Sequence, residues 1–408
     1  AEAARATEAN DDRIEALRQA LVAAPGWPPA ARELAEALSE AGQDDDAVAV
    51  LEAAAARAPL DPLTQWSLAD RLWQAGRSRD ALDRAKRTVR LDPGLDPRLE
   101  VAWAAVNAWS DRLDVPEEAA ELARDLTRDR AGDPRSWMRL ARALTAPDQA
   151  DEALAALEKA IALDPRNIEA HDSKAERLAA MGRFDDALEA ARPPQLVTDL
   201  PLVLQGRAAW VEARRGNYAA AIPPMQALVA VDPEYVWGWQ QLAEWYNETG
   251  RPENYLEAAS EFARLRPEHP TPLTMRGEAK LQTGDRAGGK ADLREALTLH
   301  PGYSPAAVIL FDACLADEEH KDARAALAVL QEHLSGPEVL VKQLQFAART
   351  GDADGAARAF AELCQTPGEG PSLFLQMALT EMHSADLDDK AAELLREAWE
   401  SGEPFNPW

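Results

Sequence analysis

The sequence predicts an all-α protein built as a tandem array of helical hairpins, and three observations carry that expectation. Apolar residues make up 46% of the chain with alanine dominant, while aromatic residues are only 6%. That balance suits closely packed helices better than sheets, which favour β-branched and aromatic side chains. Prolines at Pro25, Pro59 and Pro93, and again at Pro165, Pro233, Pro267 and Pro301, are spaced by 34 residues or about twice that. Six glycines, Gly42, Gly76, Gly182, Gly216, Gly250 and Gly284, fall 17 residues before one of these prolines or before the place where one is due. A glycine there allows the chain to turn between two helices.

Taken in order, residues 1–27 supply a closing helix through Ile14, Leu17 and Leu21. In 28–61, Leu34, Ala35 and Leu38 precede Gly42, and Ala47, Val50, Leu51 and Ala54 lead to Pro59, all at three- or four-residue steps. The unit 62–95 repeats the pattern with Ala69, Gly76 and Ala81 and ends on Leu91-Asp92-Pro93. The unit 96–133 is longer and puts Trp103 near a position that wants a small side chain, so a local kink is expected. In 134–167 the pattern is Trp137, Leu140, Ala141, Leu144, Ala153, Leu157, Ala160 and Pro165. The unit 168–201 has Ala175, Gly182 and Ala187 but stops at Pro193-Pro194, and 202–235 carries Pro223-Pro224 inside its second helix. Proline removes a backbone donor, so both helices are expected to be shortened or bent. The unit 236–269 reads Trp239, Leu242, Ala243, Tyr246, Gly250 and Pro267, and 270–303 has Gly277 and Gly284. Three weaker units follow at 304–336, 337–370 and 371–404, the last marked by Ala391, Leu395 and Ala398, and then a tail, 405–408. Pro404, Phe405 and Trp408 are candidates for an end cap. No internal domain boundary is expected, because neighbouring hairpins share one core.

The recurring aromatic, leucine, small residue, aromatic, glycine turn, alanine and proline, in one phase of 34, resemble the tetratricopeptide repeat. The resemblance covers nearly the whole chain as an array of eight repeats over 28–303 followed by three degenerate ones. It implies a right-handed superhelical solenoid of about 11–12 repeats whose first helices line a concave groove.

Charge and composition bound the function. The formal charge of −27 disfavours nucleic acid and anionic membranes and favours a partner of basic character, unless it serves solubility alone. No apolar run reaches the ~20 residues that span a bilayer. The chain starts at Ala1, which leaves a processed, shortened or leader-cleaved terminus open. Two cysteines, Cys314 and Cys364, are too few for a disulfide framework, and the expected location is the cytoplasm, with a periplasmic or secreted one left open. Both read as buried core residues.

No catalytic, cofactor-binding or metal-binding residues are expected. The segment Gly284 to Ala291 nearly spells a phosphate-binding loop, but Ala291 stands where Ser or Thr would meet magnesium, and the segment joins two helices. The six histidines form no i, i+4 pair, and no cysteine sits beside them at metal-ligand spacing.

Projected on the groove that the resemblance implies, the first helices present a changing surface. Arg32, Glu36 and Glu40 give way to Trp66, Asp70 and Trp73, then to Arg139 and Arg142, to Asp172 and Glu176, to Arg207, Trp210 and Arg214, and to Trp237, Gln240, Glu244 and Asn247. Trp66, Asp70 and Trp73 share one helix face, and an aromatic pair beside a charge is what binding hot spots use. The lysine and asparagine clamp and the asparagine ladder of some family members are both missing. The expected function is a non-catalytic scaffold that holds a protein or peptide in the groove. The alternatives are a repeat region or regulatory subunit of an enzyme system, such as a glycosyltransferase or protease, and a periplasmic assembly scaffold. Oligomeric state is undetermined by the sequence.

Overall fold

The structure, a computed structural model, describes residues 2–91, 99–365 and 371–400. These residues form 23 α-helices and no strand. A leading helix, α1 (Glu2–Ala23), is followed by hairpins α2 (Pro28–Glu40) with α3 (Asp44–Arg57), α4 (Pro62–Gln74) with α5 (Ser78–Leu91), and α6 (Glu100–Arg112) with α7 (Pro116–Asp129). Next come α8 (Pro134–Ala143) with α9 (Ala150–Leu163), α10 (Ile168–Ala180) with α11 (Phe184–Ala191), and α12 (Leu202–Arg214) with α13 (Tyr218–Val231). The rest are α14 (Val236–Glu248) with α15 (Pro252–Leu265), α16 (Pro270–Gln282) with α17 (Arg286–Leu299), α18 (Ser304–Ala316) with α19 (His320–His333), α20 (Pro337–Thr350) with α21 (Ala353–Cys364), and α22 (Pro371–Ser384) with α23 (Asp388–Glu400). The starts of α8, α10, α12, α14, α16 and α18 are each 34 residues apart. The protein is an all-α helical-repeat solenoid. Its residues divide into two compact units, 1–211 and 212–408, although the sequence marks no boundary there.

Four of the turns inside hairpins share one chemistry. Gly42, Gly76, Gly182 and Gly250 take φ between 65° and 75°, and the next residue's N–H returns to the last helical turn: Gln43 to Leu38 O, Arg77 to Leu72 O, Arg183 to Leu178 O and Arg251 to Tyr246 O. The left-handed residue thereby satisfies carbonyls that the helix end leaves open. A second device closes the turn between hairpins. The side chain three residues into the first helix donates to a carbonyl six residues back: Trp137 Nε1 to Ala131 O at 2.9 Å, Trp239 Nε1 to Pro233 O at 3.0 Å and Gln65 Nε2 to Pro59 O at 3.3 Å. His171 Nε2 meets Pro165 O at 3.1 Å in the same way.

In the first unit one apolar core runs from Ile14 through Leu34, Leu51, Leu72, Val106 and Leu126 to Ala170, and a second joins Leu154, Leu178 and Val211. In the second unit Leu293, Phe311 and Leu327 belong to one core, and Leu344, Phe360 and Met382 to another. Burying each such side chain contributes about 1.5–3 kcal/mol. The small residues matter as well: a Cβ on Gly277 would lie 3.0 Å from the Gly289 carbonyl, and one on Gly289 would lie 2.7 Å from the Gly277 carbonyl, so α16 and α17 touch backbone to backbone.

Two expectations need correction. Helices α6 and α7 have ordinary lengths and no interruption, and the extra residues of that unit fall before Glu100, where 92–98 lie outside the described residues. Trp103 is consequently not at the small-residue position. It sits three residues into α6, where Trp137 and Trp239 stand in their helices, and is buried. The proline pairs also behave differently from each other. Pro193-Pro194 does shorten α11 to 8 residues, but α13 runs its full 14 residues through Pro223-Pro224, with Ala221, Ile222 and Met225 buried around them. The proposed cap at Pro404, Phe405 and Trp408 lies outside the described residues.

Candidate binding surface

The first helices of the early hairpins carry an aromatic cluster. Seven residues separate Trp66 from Trp73 on α4, so the two rings stand on one face two turns apart. Trp109 of α6 stacks on both. Its ring centroid is 4.5 Å from Trp73 with the planes 4° apart, and 5.9 Å from Trp66 at 17°. Trp109 is 7% exposed, whereas Trp66 and Trp73 are half-buried and keep part of their surface in water. Arg112 adds a cation 5.9 Å from the Trp73 ring. Asp70 lies between the two α4 indoles on the same face and accepts from Gln74 Nε2 at 2.9 Å.

The repeat pattern in the sequence does not single out Trp109 or Arg112. The signal for Trp109 was present in its register: nine residues into their first helices, Val211 and Trp245 are also buried against neighbours. The uncertain phase of 96–133 concealed it.

Each of the remaining candidates has neighbours of its own. Arg139 is 4% exposed; it donates to Glu100 at 2.9 Å and lies 5.8 Å from the Trp103 ring, so it belongs to the packing of α6 on α8. Arg142 is exposed and pairs with Glu169 on the next first helix. Arg207 grips Asp172 through two bonds of 2.7 and 2.9 Å and lies 4.8 Å from the Trp210 ring, joining α12 to α10. In the second unit, Arg214 is exposed at the end of α12. Trp237 meets Tyr235 at 6.0 Å, Glu244 accepts from Gln240 at 2.9 Å and from Gln241 at 3.0 Å, and Asn247 accepts from Gln282 at 2.8 Å. Arg139, Arg142, Arg207 and Asn247 thus tie neighbouring first helices together, while Gln240 and Glu244 pair within α14. Among the groups singled out, the α4 pair combines aromatic surface with an open carboxylate.

Chemical alternatives fit poorly. Gly284 to Ala291 forms the turn after α16 and the start of α17, which Asp285 caps by accepting from Gly288 N–H at 2.9 Å. Lys290, which would have to reach a phosphate, is buried and bonded to Asp317 at 2.8 Å and Glu319 at 2.6 Å. Those bonds raise its pKa, while hydrogen bonds from Arg286 and Lys290 hold Asp317 at about 2. Cys314, Glu319 and Asp322 come within 4.8 Å of one another, a spacing that suits a metal ion. The carboxylates are already engaged, Glu319 by Lys290 and Asp322 by Arg294, and burial followed by the Glu319 charge pushes the Cys314 thiol up to about 11. A protonated thiol beside neutralised carboxylates is a poor ligand set. Cys364 is buried, and its thiol is pushed up to about 11 as well. Among the described residues no helix is long and apolar enough to cross a membrane.

The tetratricopeptide repeat profile matches residues 134–167, the hairpin of α8 and α9. No curated protein matches the sequence. Similar solved structures include yeast Tom70, at 16% identity over 96% of each chain with a TM-score of 0.47. A tetratricopeptide repeat protein from Parabacteroides merdae is similar at 14% identity, over 61% of this chain and 97% of that one, with a TM-score of 0.43. The pilF protein of Pseudomonas aeruginosa is similar at 18% identity, over 62% of this chain and 99% of that one, with a TM-score of 0.40. At these scores they carry no functional argument for this chain.

Proposed function

We propose that this chain, a tetratricopeptide-repeat protein, is a non-catalytic scaffold that holds a peptide segment or partner protein of basic character along its first helices. The observation that supports this most directly is the stack of Trp66, Trp109 and Trp73. A third indole fixes the two outer ones, so binding a partner would cost them little further rotamer entropy. Half-buried tryptophans on rigid helices have the character of interface hot spots, where single residues contribute 2 kcal/mol or more, as an order of magnitude. The net charge of −27 draws cationic segments toward the surface. The two buried, unpaired cysteines suit a reducing compartment.

The test is affinity capture from the native cell with the full chain and with the double variant Trp66→Ala, Trp73→Ala. The expected outcome is a partner retained by the parent protein and lost, by about 30-fold or more in affinity, from the variant, while its helical circular dichroism persists. Capture undiminished in a folded variant would overturn the assignment of this surface.

A further inference from the structure

Between α2 and α4 lies an open cleft of about 350 Å³, bordered by Arg32, Glu33, Glu36, Trp66, Asp70 and Arg71. Its charges are unevenly matched. Arg32 is committed to Asp61 at 2.8 Å and to Thr64 at 3.1 Å, whereas Arg71 at the rim meets only the neutral amide oxygen of Gln74, at 2.9 Å. Arg13 of α1 is divided among three carboxylates, at 2.9 Å from Glu33, 3.5 Å from Glu36 and 3.2 Å from Glu40. Asp70 is half-buried and takes a single hydrogen bond, from the neutral amide of Gln74; no cation among the described residues lies within ion-pair distance of it. The cleft therefore combines an indole wall, a carboxylate without a counter-charge, and two further carboxylates that share one arginine, against the single cation of Arg71.

We infer that this cleft receives an arginine side chain from an extended segment of the partner, its guanidinium paired with Asp70 and resting against Trp66. This rests on the proposed scaffold function and names the chemistry its first helices read. A guanidinium suits the cleft better than an ammonium because its planar face stacks on an indole while its N–H groups fork onto a carboxylate. The stacking of Trp66 on Trp109 fixes that wall in advance. Asp70 gains a charge-assisted partner in place of a neutral amide, and Gln74 is released to solvent. Selectivity follows from what the cleft leaves unpaired: a glutamine in the arginine's place brings no charge to Asp70, and a glutamate meets three carboxylates against the one cation of Arg71.

The experiment uses the full-length chain labelled with ¹⁵N, with the Trp66 indole N–H resonance identified from a Trp66→Phe variant. Two blocked pentapeptides serve as probes, acetyl-Ala-Ala-Arg-Ala-Ala-amide and the same peptide with glutamine for arginine. The arginine peptide is expected to move the Trp66 resonance saturably, the glutamine peptide to leave it in place, and Asp70→Asn to weaken the arginine peptide by about tenfold or more while the spectrum stays that of a folded protein. Equal shifts with both peptides, no saturable shift, or undiminished binding to Asp70→Asn would overturn the inference. Its failure is separable from that of the scaffold reading: a native partner still captured by Asp70→Asn but lost from the double tryptophan variant leaves the aromatic surface standing without an arginine pocket. A partner captured equally by both variants removes the surface itself.

Discussion

At Glu318 the backbone adopts φ 59°, the left-handed conformation that glycine supplies at the equivalent turns Gly250 and Gly284. Any L side chain there costs about 1–2 kcal/mol, because Cβ crowds the following carbonyl oxygen. Glu318 is exposed, so nothing in its packing repays that cost. Glu318→Gly is therefore expected to stabilise the second unit by about 0.5–1 kcal/mol, the relief of strain less the extra freedom glycine gives the unfolded chain. A higher urea midpoint checks it, and Gly250→Ala, at φ 65°, should move the midpoint the opposite way. A midpoint unchanged or lowered by Glu318→Gly would show that the turn bears no strain. The sequence phase located these turns at Gly42, Gly76, Gly182, Gly216, Gly250 and Gly284, but not at Gly351, φ 75°, in the weaker unit 337–370. It was silent at Asp114, Glu318 and Asp386, which take the same conformation without the residue that advertises it.

Between elements, hairpins are tied by charges as well as by apolar contact. Asp317 follows α18 and receives Arg286 at 2.7 Å and Lys290 at 2.8 Å, both from α17 in the preceding hairpin. Those hydrogen bonds hold its carboxyl at about 2, against about 3.9 in an unfolded chain. A carboxyl depressed by folding contributes stability that is complete above its unfolded pKa and is lost as pH falls through its folded one. The Asp317 contribution should accordingly be full above about pH 4 and fade toward about pH 2. Asp317→Asn is expected to lower the urea midpoint at neutral pH, and the gap between parent and variant should close across that acid window. A gap independent of pH would mean that the carboxylate's charge does not hold the hairpins together. Such ties were mostly illegible in advance. The repeat pattern places residues on a helix, but whether Arg139 reaches solvent or Glu100, and whether Arg207 meets a partner or Asp172, depends on how successive first helices approach each other. The candidate surface divided on that point: Trp66, Asp70 and Trp73 were findable from a shared face, whereas Trp109 required a register that the residues before α6 displace.

The stacking of hairpins also sets how disturbance travels through the first unit. Each hairpin touches chiefly the ones before and after it, so stability approximates a sum of local terms and nearest-neighbour terms. Leu72 lies on α4, is 1% exposed, and shares a core with residues of α2, α3, α5 and α6. Leu72→Ala removes that packing and leaves a cavity, at a cost of about 2–5 kcal/mol. In a single cooperative globule such a loss would lower amide protection throughout. In a linear stack it should fall most heavily on α4 and α5, less on α2, α3, α6 and α7, and barely on α10 and α11 in the same unit. Hydrogen exchange followed by mass spectrometry reads that gradient directly. Uniform loss from α2 to α11 would refute the nearest-neighbour account for this unit. A decaying profile has a functional corollary, because a partner bound at Trp66 and Trp73 would protect the same local set of helices, and its footprint should follow the gradient that the Leu72 substitution maps.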